Sequence, residues 1–254
     1  MFNETSSVDA SFYETLLVDD TMTSLDLRGK NISDNGALSL SAALKLNDTL
    51  TSLDLSENNI GDAGASAISE ALDVNNTLTT LNMSKNNIGD TGVHNLSMSL
   101  RVNDVLTKLD LSGNDIGDVG ASAISEALDV NNTLTTLNMS KNNIGDTGVH
   151  NLAMGLQVND VLTVLDLSEN NFGDSGASSV SESLIFNTTL TTLHMSKNNI
   201  GDNGASSLCQ ALNVNTTLAH LDVSGSNISD FVLSTLSEAL KANATKRQIG
   251  KLRT

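Results

Sequence analysis

An α/β solenoid of about eight 28-residue units, with a parallel sheet on its concave side and helices on its convex side, is the fold class the sequence predicts. Two observations predict it. The phrase L-x-x-L-x-L-x-x-N-x-[IF] recurs at a fixed spacing of 28 residues, and residues at such a spacing become lateral neighbours in a stack. Leu50, Leu53, Leu55, Asn58 and Ile60 set the frame, which returns from Leu78, Leu106, Leu134, Leu162 and Leu190, with weaker copies from Met22 and Leu218. Within each copy the apolar period switches from two residues to about 3.6, which is strand followed by helix.

In the strand half, Leu53 and Leu55 point inward while Ser52, Asp54 and Ser56 point outward. Asn58, with Asn86, Asn114, Asn142, Asn170 and Asn198, stands where the chain must turn. An inward amide there can satisfy the backbone of neighbouring turns. A helix is expected over about 64–73, with Ala65, Ile68, Ala71 and Leu72 on one face. Asp62 precedes it as the expected N-cap. Its equivalents Asp34, Asp90, Asp118, Asp146, Asp174, Asp202 and Asp230 form a column of eight acids. Each is expected to face the N-terminus of its own helix, where the helix dipole offsets its charge. Phe172 and Phe186 replace Ile60 and Val74 in the frame and are expected in the core. Strands pair about 4.8 Å apart whereas helices need about 8–10 Å, so the stack should bend into an open arc with the strands inside.

The ends depart from the frame. Residues 1–21 align with the second half of a unit and predict an N-terminal helical cap, a degenerate half-repeat; residues 22–245 hold repeats one to eight; residues 246–254 predict a basic C-terminal tail or edge strand. A second period lies on the first. Residues 64–100 and 120–156 are identical except at Ser97/Ala153 and Ser99/Gly155, so the copied unit is a 56-residue pair. Outward strand positions then run Asp54, Asn82, Asp110, Asn138, Asp166, His194, Asp222. Like charges directly opposed destabilise a sheet, and alternation with neutral residues separates them. Three positions on, Glu57, Lys85, Gly113, Lys141, Glu169 and Lys197 set Lys beside Glu or Gly.

The formal net charge is −17, and it is uneven. Residues 1–240 hold 8 basic and 30 acidic groups, a net of −22, whereas Lys241, Lys246, Arg247, Lys251 and Arg253 close a chain end without acids. Such a field repels nucleic acid and anionic membrane and steers cationic partners inward. Neither is expected as a partner. There is no apolar run of membrane-spanning length and no basic-then-apolar leader in the first ten residues. Cys209 stands alone, which suits a reducing compartment. The expected location is therefore cytoplasmic (of a host cell, for a translocated effector). Twelve N-x-S/T triplets, including Asn75, Asn82, Asn131 and Asn138, are read as chance in a chain rich in Asn, Ser and Thr. No nucleophile elbow, phosphate loop, H-E-x-x-H or calcium loop is present, so no enzyme and no cofactor are predicted.

The L-x-x-L-x-L-x-x-N-x-I phrase followed by G-A-x-x-[IL]-x-x-[AS]-L, as in Gly64 to Leu72, resembles the ribonuclease-inhibitor-like subfamily of leucine-rich repeats over about residues 8–243. That resemblance implies a β/α horseshoe that binds proteins through its strand surface and adjoining loops. One Cys, no Trp and one Tyr depart from the inhibitor itself, so a ribonuclease partner is not implied. The expectation is a monomeric, non-enzymatic protein-binding scaffold whose acidic concave face takes a partner with a basic surface. The alternative is a regulator that activates a small GTPase, similar to the Ran GTPase-activating protein, although that family ends acidic and this chain ends basic. The expected contact set is Asp54, Glu57, Lys85, Lys108, Asp110, Lys141, Val164, Asp166, Glu169, His194, Lys197, His220 and Asp222. Against tight binding, the middle of this wall lacks the Trp, Tyr and Arg that dominate binding energy. His194 lies between Asp166 and Asp222, with His220 diagonally near. Two imidazoles and two carboxylates could hold a transition metal, but His194 is read as filling the neutral slot of Asn82 and Asn138, and no metal is predicted.

Overall fold

A computed structural model describes residues 21–251, with side chains to residue 243. The expected cap over residues 1–21 lies outside the described residues apart from Thr21. Among the described residues, eight strands alternate with eight helices: β1 (Ser24–Asp26), α1 (Asp34–Leu44), β2 (Ser52–Asp54), α2 (Asp62–Leu72), β3 (Thr80–Asn82), α3 (Asp90–Leu100), β4 (Lys108–Asp110) and α4 (Asp118–Leu128). They continue with β5 (Thr136–Asn138), α5 (Asp146–Val158), β6 (Val164–Asp166), α6 (Asp174–Phe186), β7 (Thr192–His194), α7 (Asp202–Val214), β8 (His220–Asp222) and α8 (Asp230–Lys251). The strands form one parallel sheet in sequence order. Every pair is in register at 28 residues, so that Leu53 meets Leu25 and Leu81.

The leucines of the frame fill the layer between sheet and helices. Leu50, Leu53, Leu55, Ile60, Ile68 and Leu72 are buried, and so are their equivalents in the central repeats. Phe172 is fully buried in the Ile60 slot, as expected. Phe186 is not: it is 62% exposed, and Val74, whose slot it fills, is 54% exposed. Both stand where the helix ends, and the next residue, an Asn, turns inward in their place. Ser56 also departs from expectation and is buried, with Ser84, Ser140 and Ser168.

Two columns of asparagine tie the repeats together. In the first, Asn58 Nδ2 donates to the carbonyls of Leu27, Leu55 and Ser56, while its Oδ1 accepts from the amides of Lys30 and Ile32. Asn86, Asn114, Asn142 and Asn170 repeat this bridge across successive strand–helix turns. Ser226 takes that place in the eighth repeat, and its buried Oγ has no partner among the described residues. The second column precedes each strand. Asn75 Nδ2 donates to Leu44 and Asn47 carbonyls of the preceding repeat, and Oδ1 accepts from the amides of Thr77 and Leu78. Asn75 and Asn131, read above as chance glycosylation triplets, belong to this column and are 3% and 6% exposed.

The acid column acts differently from the expectation. Gly61, with extended backbone, is the N-cap of α2, and Asp62 is the first helical residue. Asp62 does not cap its own helix: Oδ1 accepts from the amides of Gly89 (2.7 Å) and Gly92 (3.0 Å), at the start of α3. Asp34, Asp90, Asp146 and Asp174 do the same for the helix after their own. Each carboxylate thus satisfies orphan amides, and faces the positive dipole end, of the following repeat. This explains the paired glycines, because a Cβ at Gly120 would lie 2.7 Å from Asp90 Oδ1. Where Val232 replaces that glycine, Asp202 accepts from Ser229 at the cap position.

The chain end also corrects an expectation. Residues 246–251, read as a tail or edge strand, continue α8. Ala242, Ala244, Lys246, Arg247 and Gln248 are strong helix formers with no Gly or Pro before Gly250 to stop them. Asn243 shows the consequence. It occupies the second asparagine column and donates to Leu218, but the helix offers no downstream turn amides, and its buried Oδ1 meets no partner among the described residues.

Candidate functional site

The concave face is built by three-residue strands whose first and third side chains face away from the core. In-register pairing turns these positions into rows. The first row runs Ser52, Thr80, Lys108, Thr136, Val164, Thr192, His220, with Lys108 and His220 exposed. The second runs Asp54, Asn82, Asp110, Asn138, Asp166, His194, Asp222 and is half-buried throughout. Asp166 pairs with His194 and His194 with Asp222, while His220 pairs with Thr192, which puts the four candidate ligands on adjacent strands. Among the described residues, no group of three or more His, Cys, Asp or Glu side chains converges so as to hold a metal ion.

The second row has a local task the sequence reading missed. Asp54 Oδ1 accepts from the amide of Ser56, and the same bond to the residue two places on is made by Asn82, Asp110, Asn138, Asp166 and Asp222. An Asx turn of this kind accepts either Asp or Asn, so the alternation is free to answer to charge. The D/N-x-S triplet at 28-residue spacing was its signal in the sequence. His194 is the exception to that triplet among these rows. In Asp110 the second oxygen accepts from Asn138 Nδ2. In Asp166 and Asp222 it meets no partner among the described residues.

Asp54 is also held by Arg28, whose Nη2 lies 2.9 Å from Oδ2. Burial pushes the Asp54 pKa up, but hydrogen bonds from Ser56 and Arg28 outweigh it and hold the carboxyl below its ordinary value.

The third row is Glu57, Lys85, Gly113, Lys141, Glu169, Lys197, and it occupies the left-handed region at every step, with φ between 53° and 66°. Glycine is the unstrained choice there, yet five of the six are charged. They pair along the row: Lys85 with Glu57 at 2.7 Å, Lys197 with Glu169 at 3.1 Å, Lys141 with Glu169 at 3.7 Å. Hydrogen bonds from Lys85 and Lys197 are the main reason Glu57 and Glu169 titrate below the usual glutamate range. The thirteen candidate residues together hold six carboxylates and four lysines. The wall is therefore mixed, and it carries only a small part of the −22 of residues 1–240.

A profile for the leucine-rich repeat matches residues 20–41, 46–69, 74–97, 102–125, 130–153, 158–181, 186–209 and 214–230. This chain belongs to the leucine-rich repeat family. Among solved structures, the leucine-rich repeat chain is similar to "Leiomodin-1 Actin-Binding Site 2 (ABS2)", at 22% identity and a TM-score of 0.45, over 52% of this chain and 77% of that one. None of the curated proteins compared matches it. Among the described residues, no helix of this repeat protein is long and apolar enough to cross a membrane.

Proposed function

We propose that this leucine-rich repeat chain is a non-enzymatic scaffold, of the ribonuclease-inhibitor-like kind, that binds a protein with a basic surface across its concave face. The supporting observation is the second row. Asp166 and Asp222 flank His194 in register, each spends one oxygen on its own turn, and the other meets no partner among the described residues. Fixed carboxylates of this sort lose little freedom on binding, which favours a cationic partner group. The mixed third row sets orientation more than affinity, since exposed pairs contribute about 0–1 kcal/mol. The chain acts as a monomer in the cytoplasm, steering its partner by the −22 field of residues 1–240.

The test is recovery of partners by wild type and by the triple variant Asp110→Asn, Asp166→Asn, Asp222→Asn. Asn82 and Asn138 already make the same turn bond with an amide, so the variant keeps the fold. A clear loss of bound partner is expected. Equal recovery overturns the concave reading.

A further inference from the structure

At the end of each of the first seven helices, or two residues past it, one side chain per repeat joins a line of exposed apolar residues down the solenoid. Leu46, Val74, Val102, Val130, Val158, Phe186 and Val214 are between 54% and 75% exposed. Single exposed apolar residues need no explanation, but seven at one register are a continuous strip, and such strips mark interaction sites. Copying alone does not account for them. The preceding residue changes freely through Lys45, Asp73, Arg101, Asp129, Gln157, Ile185 and Asn213, while the strip stays apolar as it moves from Leu to Val to Phe.

The strip is held rigidly. Each member is followed by an Asn of the second column, half-buried at Asn47 and buried in the rest, and Asn75, Asn103, Asn131, Asn159, Asn187 and Asn215 each donate to the carbonyl of the preceding Asn of the column. The apolar side chains are thereby fixed side by side.

Charge says what would lie on this ridge. Asp48, Asp73, Asp104, Asp129 and Asp160 flank it, one in each of the first five repeats, all exposed and in no ion pair among the described residues. The two cations beside it, Lys45 and Arg101, face Glu70 and Glu126 at 3.0 and 3.9 Å. We infer that the ridge is a second docking surface, separate from the concave face, for a cationic amphipathic helix with an apolar stripe bordered by Lys or Arg. The spacing suits a helix. Ridge steps lie between the roughly 4.8 Å of paired strands and the roughly 8–10 Å of packed helices, and helix residues four apart advance about 6 Å. Over its first five steps the ridge offers one apolar residue and one acid per step, and thus meets such a stripe once per turn or two.

The test uses a labelled 18-residue Leu/Lys amphipathic peptide, about 27 Å long as a helix, titrated with the full chain by fluorescence anisotropy. Wild type should bind it. Val74→Ser, Val102→Ser, Val130→Ser and Val158→Ser combined, and separately Asp73→Asn, Asp104→Asn, Asp129→Asn and Asp160→Asn combined, should each weaken binding about tenfold or more, with unchanged melting temperatures. The Asp110→Asn, Asp166→Asn, Asp222→Asn variant should bind as wild type, which keeps this inference separable from the concave reading. A Leu/Glu peptide with the same stripe should not bind. Absent binding, or equal binding by the serine variant, overturns the inference. So does light scattering that shows a wild-type dimer abolished by the serine variant, because the occupant is then a second copy of the chain.

Discussion

Removing one carboxylate of the acid column should destabilise the repeat after it. In Asp90→Ala, the amides of Gly117 and Gly120 lose the Oδ1 acceptor that lies 2.7 and 2.9 Å away. Loss of a capping side chain costs about 0.5–2 kcal/mol, and loss of a charge at a helix N-terminus about 0.3–1 kcal/mol. A total near 2 kcal/mol corresponds to a fall of roughly 4–8 °C in Tm for a chain of this size. Asp230→Ala is the matched control. Asp230 begins α8, and among the described residues its carboxylate accepts no amide of a following repeat. It should cost no more than about 0.5 kcal/mol, the weak effect of a surface charge on its own helix dipole. Calorimetry gives the two melting temperatures, and hydrogen exchange locates the damage. Faster exchange is expected at Gly117 and Gly120, and not at the start of α3. Equal losses from Asp90→Ala and Asp230→Ala, or faster exchange confined to α3, would refute capping of one repeat by its predecessor.

Three further outcomes follow from the rows and the core. Phe172→Ala should cost about 3–5 kcal/mol as a cavity in the core, whereas Phe186→Ala should change stability by about 0.5 kcal/mol or less; comparable chemical-denaturation midpoints would contradict the burial assigned to them. Lys141→Gly should be neutral or stabilising by up to about 1 kcal/mol, because relief of the left-handed backbone opposes the loss of one exposed ion pair, while Lys141→Val should destabilise. A glycine variant that melts well below wild type would argue against strain in that row. The lowered pKa of Glu169 means its charged form is favoured in the folded state. That stabilisation is present above the ordinary glutamate value of about 4.3 and is lost as pH falls through the lowered one. Lys197→Met should raise the Glu169 midpoint in an NMR titration, and an unmoved midpoint would remove the assigned cause.

The sheet and its register were legible because apolar spacing alone decides them: Leu53 and Leu55 alternate, and Leu53 must meet Leu81 once 28 residues are one repeat. The burial of Asn58 was legible for the same reason, as a polar residue trapped in an apolar frame. Direction along the stack was not. Asp62 stands at the start of its own helix in sequence, and only the offset between repeats shows that its oxygen reaches Gly89 and Gly92. Phe186 was misjudged because helical periodicity says nothing of the residue where the helix stops. There the inward place passes to Asn187, which is 3% exposed. Asn75 and Asn131 carried two superposed patterns, and the N-x-T triplet hid the N-x-x-L spacing that explains them. Of the candidate site, the row membership was legible from spacing. Which oxygens are engaged was not, since the turn bonds of Asp54, Asp110 and Asp166 depend on backbone geometry.

Lysines stand on both kinds of surface, which makes site-resolved crosslinking in native lysate the most direct measurement of where a partner sits. Lys85, Lys108, Lys141 and Lys197 line the concave rows, while Lys45 lies beside the helix ends. For the main partner, crosslinks concentrated on Lys108, Lys141 and Lys197, and lost in the Asp110→Asn, Asp166→Asn, Asp222→Asn variant, are predicted. Crosslinks from Lys45 alone, unaffected by that variant, would contradict binding through the sheet.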